Sequence, residues 1–256
     1  MEETRGGDEF VKPKRIRRNR KFISNEIMKA VSAVIGQQGF KNLGINSVAI
    51  EAKVEKPFIY RNYGGFEKVL EEYILKNDYW LSFILQRSME GKVDDLGNVD
   101  AKGLYNTLMT DLYKTMDENR DFRNLILWEL YENTPFIRKV AQRRETETKN
   151  EIDLLSAHFA NSSVDIAATT SLMIAGIYYL VLHKDISTFC GIDFKTKEGK
   201  KRLSSTLTNL TNLIFEQAEN QKKLITRMLG KGLAVELIAE ITETSVDQVK
   251  EIAKQA

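Results

Sequence analysis

The sequence predicts an all-α protein: a three-helix helix-turn-helix domain near the N-terminus, a larger helical domain behind it, and a short helical C-terminal extension. Three observations carry that expectation. Apolar residues recur at i, i+3, i+4 and i+7 through most of the chain, and no stretch of any length alternates with the period of two that a strand requires. Only three prolines, Pro13, Pro57 and Pro135, interrupt the 256 residues, so long helices can run unbroken. Two short helical patterns joined by a tight connection stand close behind a strongly basic head.

That head gives the chain an uneven charge. Residues 12–21 (KPKRIRRNRK) hold seven basic side chains and no acid. Across 12–70 there are 13 Lys/Arg against 4 Asp/Glu, whereas 71–256 hold 24 against 28. A basic head on a mildly acidic body marks the N-terminal part as the polyanion-facing one, because neutralising phosphates releases their condensed counterions. A basic run alone reads equally well as a solvated tail; the segment that follows decides between the two.

Residues 24–38 form the first amphipathic pattern, with Ile27, Val31, Val34 and Ile35 on one stripe and Ser24 or Asn25 as its cap. Gly39 ends it, since glycine takes the left-handed conformation at little cost. Ile45, Val48, Ala49 and Ala52 place a second helix over 45–52, where the small Ala49 lets a neighbour approach. Lys53-Val54-Glu55 is the turn. Pro57 suits the first turn of a third helix through Phe58, Ile59, Tyr60, Arg61, Asn62 and Tyr63. Further helices are expected at 67–89, 101–118, 122–133, 136–160, 164–184 and 199–221, with loops near Gly91 to Asn98, Asn161 to Ser163 and Gly191 to Gly199. Two short helices follow, one over 235–241 and one capped by Thr244 or Ser245 that carries Val246, Val249 and Ile252. In 233–256 five acids outnumber two lysines, which opposes phosphate binding and favours a small packing or interaction module.

Other classes find little support. Cys190 is the single cysteine, so no intramolecular disulfide forms; it fits a reducing cytosol and is expected as a small, partly buried hydrophobe beside Phe189. With only His158 and His183 it makes no zinc set, and each histidine is expected at the surface or in the core. There is no paired nucleophile and base, no phosphate-cradling glycine loop and no metal cluster, so neither enzyme activity nor a cofactor is expected. The opening MEETRGGDEF lacks the apolar core of a secretory signal, and a cytoplasmic location is expected. Ile166 to His183 carries no formal charge but includes Thr169, Thr170 and Ser171; it is expected as a bundle helix buried on most sides, with no membrane partner.

The stretch GFKNLGINSVAIEAKVEKPFIYRNYGGFEKVL resembles the DNA-binding domain of the TetR family of regulators. Gly39-Phe40 match its opening pair, Val48-Ala49 the core of its second helix, and Val54-Glu55, Pro57 and Ile59-Tyr60 its turn and third helix. Tyr63 stands at the aromatic position, and Glu67 and Leu70 match the opening of the fourth helix. Three positions depart. Gly44 stands where a capping Thr or Ser is usual, with Asn46 the candidate to compensate; Lys53 replaces a turn glycine; Phe66 replaces a lysine that commonly approaches phosphate.

The resemblance implies a sequence-specific transcription regulator. It would bind a palindromic operator in double-stranded DNA as a homodimer and act as a repressor released by a small-molecule effector. It divides the chain into a basic arm (1–21), the helix-turn-helix domain (22–70), an effector-binding and dimerisation domain (71–221) and an extension (222–256). Lys56, Tyr60 and Lys68, with Asn46 or Ser47 at the start of the second helix, are the expected phosphate contacts that set position, with Pro57 among the DNA-facing residues; Lys14, Arg15, Arg17 and Arg18 of the arm are expected in a neighbouring minor groove or along phosphates. Phe58, Arg61 and Asn62 are the candidates for base edges, Phe58 being equally suited to the core. Trp80, Phe83, Tyr105, Met109, Tyr113, Trp128, Tyr131 and Tyr178 are expected around an effector pocket, each also a candidate for plain core. Ala168, Leu172, Ala175, Gly176, Tyr179, Leu203, Leu207 and Leu210 are expected at the dimer interface. Lys53 and Phe66 keep a second reading open: a helical interaction protein that retains the fold and has lost DNA binding.

Overall fold

The computed structural model describes residues 20–89 and 100–255, and its regular structure is entirely helical: twelve α-helices and one turn of 3-10 helix. Backbone contacts divide the chain into two units, with the division between Tyr73 and Ile74.

The first unit is built from α1 (Arg20–Gln38), α2 (Ile45–Glu51), α3 (Lys56–Tyr63) and the opening turns of α4 (Phe66–Asn77). Ile27, Val31, Val34, Val48, Ile59 and Val69 close its core, each at most 1% exposed. Burying side chains of this size stabilises by about 1.5–3 kcal/mol apiece, enough to hold helices too short to persist alone. α1 starts earlier than expected, so Ser24 and Asn25 lie inside it rather than capping it. Ser24 instead accepts a hydrogen bond from the Tyr63 hydroxyl at 3.0 Å and donates to the Glu72 carboxylate at 3.0 Å, tying α1, α3 and α4 together. Gly39, at φ 75, ends α1 as expected.

The turn between α2 and α3 is closed by hydrogen bonds from Lys53 N–H to the Ile50 carbonyl (3.1 Å) and from Val54 N–H to that of Ala49 (3.0 Å). This closure holds Lys53 at φ 53, the left-handed region where a Cβ costs about 1–2 kcal/mol. Lys53→Gly relieves that strain and gives back part of it through a freer unfolded chain, so a net gain of roughly 0.5–1 kcal/mol is expected. Chemical denaturation reads it directly; an unchanged or lowered midpoint would mean that the Lys53 side chain makes stabilising contacts outweighing the strain.

The second unit shows why the helix expected over 67–89 is really two, α4 and α5 (Tyr79–Met89). Asp78 stands between them, and its Oδ1 accepts the Leu81 N–H at 3.2 Å, an N-cap that starts α5 afresh. α6 (Ala101–Glu118), α7 (Arg120–Tyr131), α8 (Pro135–Phe159), α9 (Ile166–His183) and α10 (Lys197–Gly230) follow. Asp100, Asn119, Thr134, Asp165 and Thr196 start these five helices, each side chain accepting a backbone N–H from the first turn. α6 lies at the centre, packed by α9 and α10, and Tyr105, Met109, Leu112, Met116, Phe122 and Phe215 around it are at most 2% exposed. Asp117 at the end of α6 accepts from Lys184 and, at 2.6 Å, from Lys200. Burial alone would raise its carboxyl, but the two ammonium groups hold it below the usual carboxylate range.

α10 runs straight through residue 221 to Gly230. α11 (Val235–Thr242) and α12 (Val246–Gln255) then pack against its end around Ile225, Ile238, Val249 and Ile252, all 0% exposed. Gln221 donates to the Thr242 carbonyl at 3.0 Å and accepts from Ser163 N–H at 2.8 Å, and Gln248 donates to the Ala160 carbonyl at 2.9 Å. The last two helices are thereby fixed to the α8–α9 loop. Cys190 is exposed rather than partly buried, because it sits with Gly191 in a left-handed turn, at φ 51 and 74.

Candidate nucleic-acid interface and effector cavity

α2 and α3 position the residues expected at DNA. Gly44 has no side chain with which to cap the first N–H groups of α2; Ser47, rather than Asn46, braces this end by reaching back, its Oγ accepting the Gly44 N–H at 3.1 Å and donating to the Asn42 carbonyl at 2.7 Å. This commits the Ser47 hydroxyl to the fold and leaves Asn46 exposed. On α3, Ile59 points into the core while Lys56, Pro57, Tyr60 and Arg61 are exposed along one side. Phe58 and Asn62 are half-buried at the edge of that side, and Asn62 donates to the Phe58 carbonyl at 2.7 Å. Arg61 lies along its own helix, its Nε donating to the Pro57 carbonyl at 3.3 Å. Lys68 on α4 pairs with Glu71 at 2.6 Å; that hydrogen bond and the carboxylate charge raise the ammonium above its usual range. Lys68 must therefore leave a carboxylate to reach a phosphate. Lys14, Arg15, Arg17 and Arg18 lie outside the described residues.

The second unit holds a cavity of about 340 Å³. Of the eight residues expected around a pocket, Trp80, Phe83 and Tyr178 line it. Tyr105, Met109, Tyr113 and Trp128 do not; they are buried in packing, the first three because α6 is the central helix. Tyr131 is 78% exposed at the end of α7. Sequence reasoning missed the charged part of the wall, Glu129, Arg144, Glu145 and Glu151. Arg144 Nε donates to Asp78 Oδ2 at 2.6 Å and its Nη1 donates to Glu129. Burial works against the guanidinium charge, and Asp78 and Glu129 more than offset it, raising Arg144 above its ordinary value. Beside this group, Trp80 Nε1 donates to the Tyr178 hydroxyl at 2.7 Å, and burial pushes that phenol up. The signal available in the sequence was Arg144 and Glu151 at i, i+7, one face of a helix whose other charges read as solvated.

A third surface lies on α9 and α10. Ala168, Leu172, Ala175 and Tyr179 are exposed along α9, with Gly176 half-buried beside them. Only 28% of this uncharged helix is buried, so the expectation of burial on most sides fails for the single chain. Leu210 and Leu213 are exposed on α10, but Leu203 and Leu207 are buried in the core. They occupy the face of α10 turned towards α6, which removes them from the interface set.

No family model and no curated protein matches the sequence. Among solved structures the chain is similar to a candidate fatty acid metabolism regulator from Clostridium perfringens, with a TM-score of 0.53 and 15% identity over 73% of this chain and 97% of that one. A HlyIIR mutant protein gives a TM-score of 0.46 at 14% identity, over 77% and 97% of the two chains. At 15% identity the first likeness is one of fold, and it agrees with the all-α architecture.

Proposed function

We propose that this chain is a sequence-specific DNA-binding transcription regulator of the TetR type. The observation that carries the reading is the exposed side of α3, where Lys56, Pro57, Tyr60 and Arg61 stand beyond a tight helix-turn-helix connection whose core is closed. A second helix of this kind enters the major groove by its N-terminal end. Lys56 and Tyr60 then meet phosphates and set register. Arg61 reaches guanine once it releases the Pro57 carbonyl, and Asn62 and Phe58 suit adenine and the thymine methyl. The basic head at 12–21 adds charge for the backbone.

The apolar strip of α9 and α10 serves a symmetric homodimer, which would carry two reading helices to the half-sites of a palindrome. The cavity is the effector site. A ligand that binds better to the DNA-incompetent form draws the population away from the operator, which makes the chain a repressor.

The test is fluorescence anisotropy on the duplex upstream of the chain's own reading frame and on a random duplex of equal length. Arg61→Ala is expected to lower specific binding by about tenfold or more, the weight of one guanine contact, and to leave random binding nearly unchanged. An equal loss on both duplexes would make Arg61 a phosphate contact, and no loss would remove it from the interface.

A further inference from the structure

The turn that introduces α3 carries a lysine where its geometry favours glycine. α2 closes with two backbone bonds, from Val54 N–H to the Ala49 carbonyl and from Lys53 N–H to the Ile50 carbonyl. This is the Schellman arrangement, whose left-handed position glycine fills most cheaply. Lys53 holds that position at φ 53, and among the described residues of the first unit no other side chain sits at a positive φ. A strained residue of this kind persists where something offsets its cost. Burial does not supply the offset, because Lys53 is exposed. Nor does an ion pair: Glu51 and Glu55 stand two residues to either side, both exposed, and neither pairs with it. Other exposed lysines of this unit are held, Lys29 by Glu26 at 2.8 Å and Lys68 by Glu71 at 2.6 Å.

The place of this free ammonium gives it a use. Lys53 lies three residues before Lys56, the first residue of α3. A reading helix enters the major groove by its N-terminal end, so the residues just ahead of it pass over the rim where phosphates lie. A compact charge on a flexible four-carbon stem reaches a phosphate from there without a fixed orientation. Without Lys53 the stretch 51–55 would offer two carboxylates and no cation to the same phosphates. We propose that Lys53 binds a DNA phosphate and that this contact offsets the strain of its turn. The contact supplies affinity without sequence preference, and with Lys56 it anchors the leading end of α3. It rests on the DNA-reading function proposed above, to which the glycine position of the resembled family contributes no side chain.

The experiment compares the full wild-type chain with Lys53→Met, Lys53→Gly and Lys53→Arg by fluorescence anisotropy, on the upstream duplex and a random one, between about 50 and 200 mM salt. Methionine removes the charge and keeps the Cβ, hence the strained turn; glycine removes both. Each of these two is expected to bind both duplexes about tenfold more weakly at the low end of that range, with the slope of log affinity against log salt shallower by about 0.9, the weight of one phosphate. Lys53→Arg should keep the wild-type slope. Lys53→Gly should bind less while resisting denaturant better, a pairing that a merely structural lysine would not give. A folded Lys53→Met with wild-type affinity and slope overturns the proposal. So does a loss confined to the upstream duplex, which would make Lys53 a base contact. A wild-type chain that binds no duplex overturns the regulator reading and this contact together, whereas equal binding by wild type and Lys53→Met overturns the contact alone.

Discussion

Replacing Arg144 with methionine is expected to destabilise the second unit by about 3–5 kcal/mol, the usual cost of removing one partner from a buried ion pair. Asp78 is 0% exposed, with Oδ1 on the Leu81 N–H and Oδ2 on Arg144, so the variant leaves a carboxylate in the interior without its counter-ion. Glu129 loses the same partner. For a domain of this size the calorimetric midpoint should fall by roughly 10 °C. Asp78→Asn in the same chain should recover part of the loss, because the uncompensated charge goes while the amide oxygen can still cap α5. A fall of less than about 1 kcal/mol for Arg144→Met would show that water reaches this cluster and screens its charges.

If the chain pairs through α9 and α10 as proposed, Leu172→Glu is expected to separate the two copies into monomers without unfolding them. Leu172 is 75% exposed in the single chain, so its replacement opens no cavity. In a symmetric interface the change occurs twice, placing two like charges in a surface built from Ala168, Ala175, Tyr179 and Leu210. The dimer dissociation constant should rise about a hundredfold or more. Sedimentation velocity distinguishes the outcomes. A wild-type chain that remains monomeric at micromolar concentration would remove the interface from the account, and the exposed strip of α9 would need another partner. Its mean hydropathy of 1.6 over eighteen residues also meets the length and composition of a membrane span.

The helix-turn-helix unit was legible in the sequence because its determinants are local. Ile27, Val31, Val34 and Ile35 follow the helical period, Gly39 marks a positive φ, and Pro57 opens a helix. The second unit was legible as helices but not as a site. The break at Asp78 leaves no local mark, because the apolar period continues on both sides of it and its Arg144 partner lies 66 residues away. On α10, Leu203 and Leu207 share a stripe with Leu210, yet only Leu210 is exposed. Periodicity gives the stripe and not the neighbour that covers it. Which aromatic residues form wall and which form core depends on the central place of α6, and no local pattern carries that. The charged wall stayed hidden because Arg144 and Glu151 belong to a helix rich in solvated charges.

The central claim is that the chain reads DNA, and the salt dependence of binding tests it most directly. Anisotropy titrations on the upstream duplex and on a scrambled duplex, between 50 and 200 mM salt, should show saturable binding that weakens about a thousandfold or more across that range. Binding should stay tighter on the upstream duplex throughout. No binding to any duplex at low salt would contradict the account and leave the helical interaction protein as the reading.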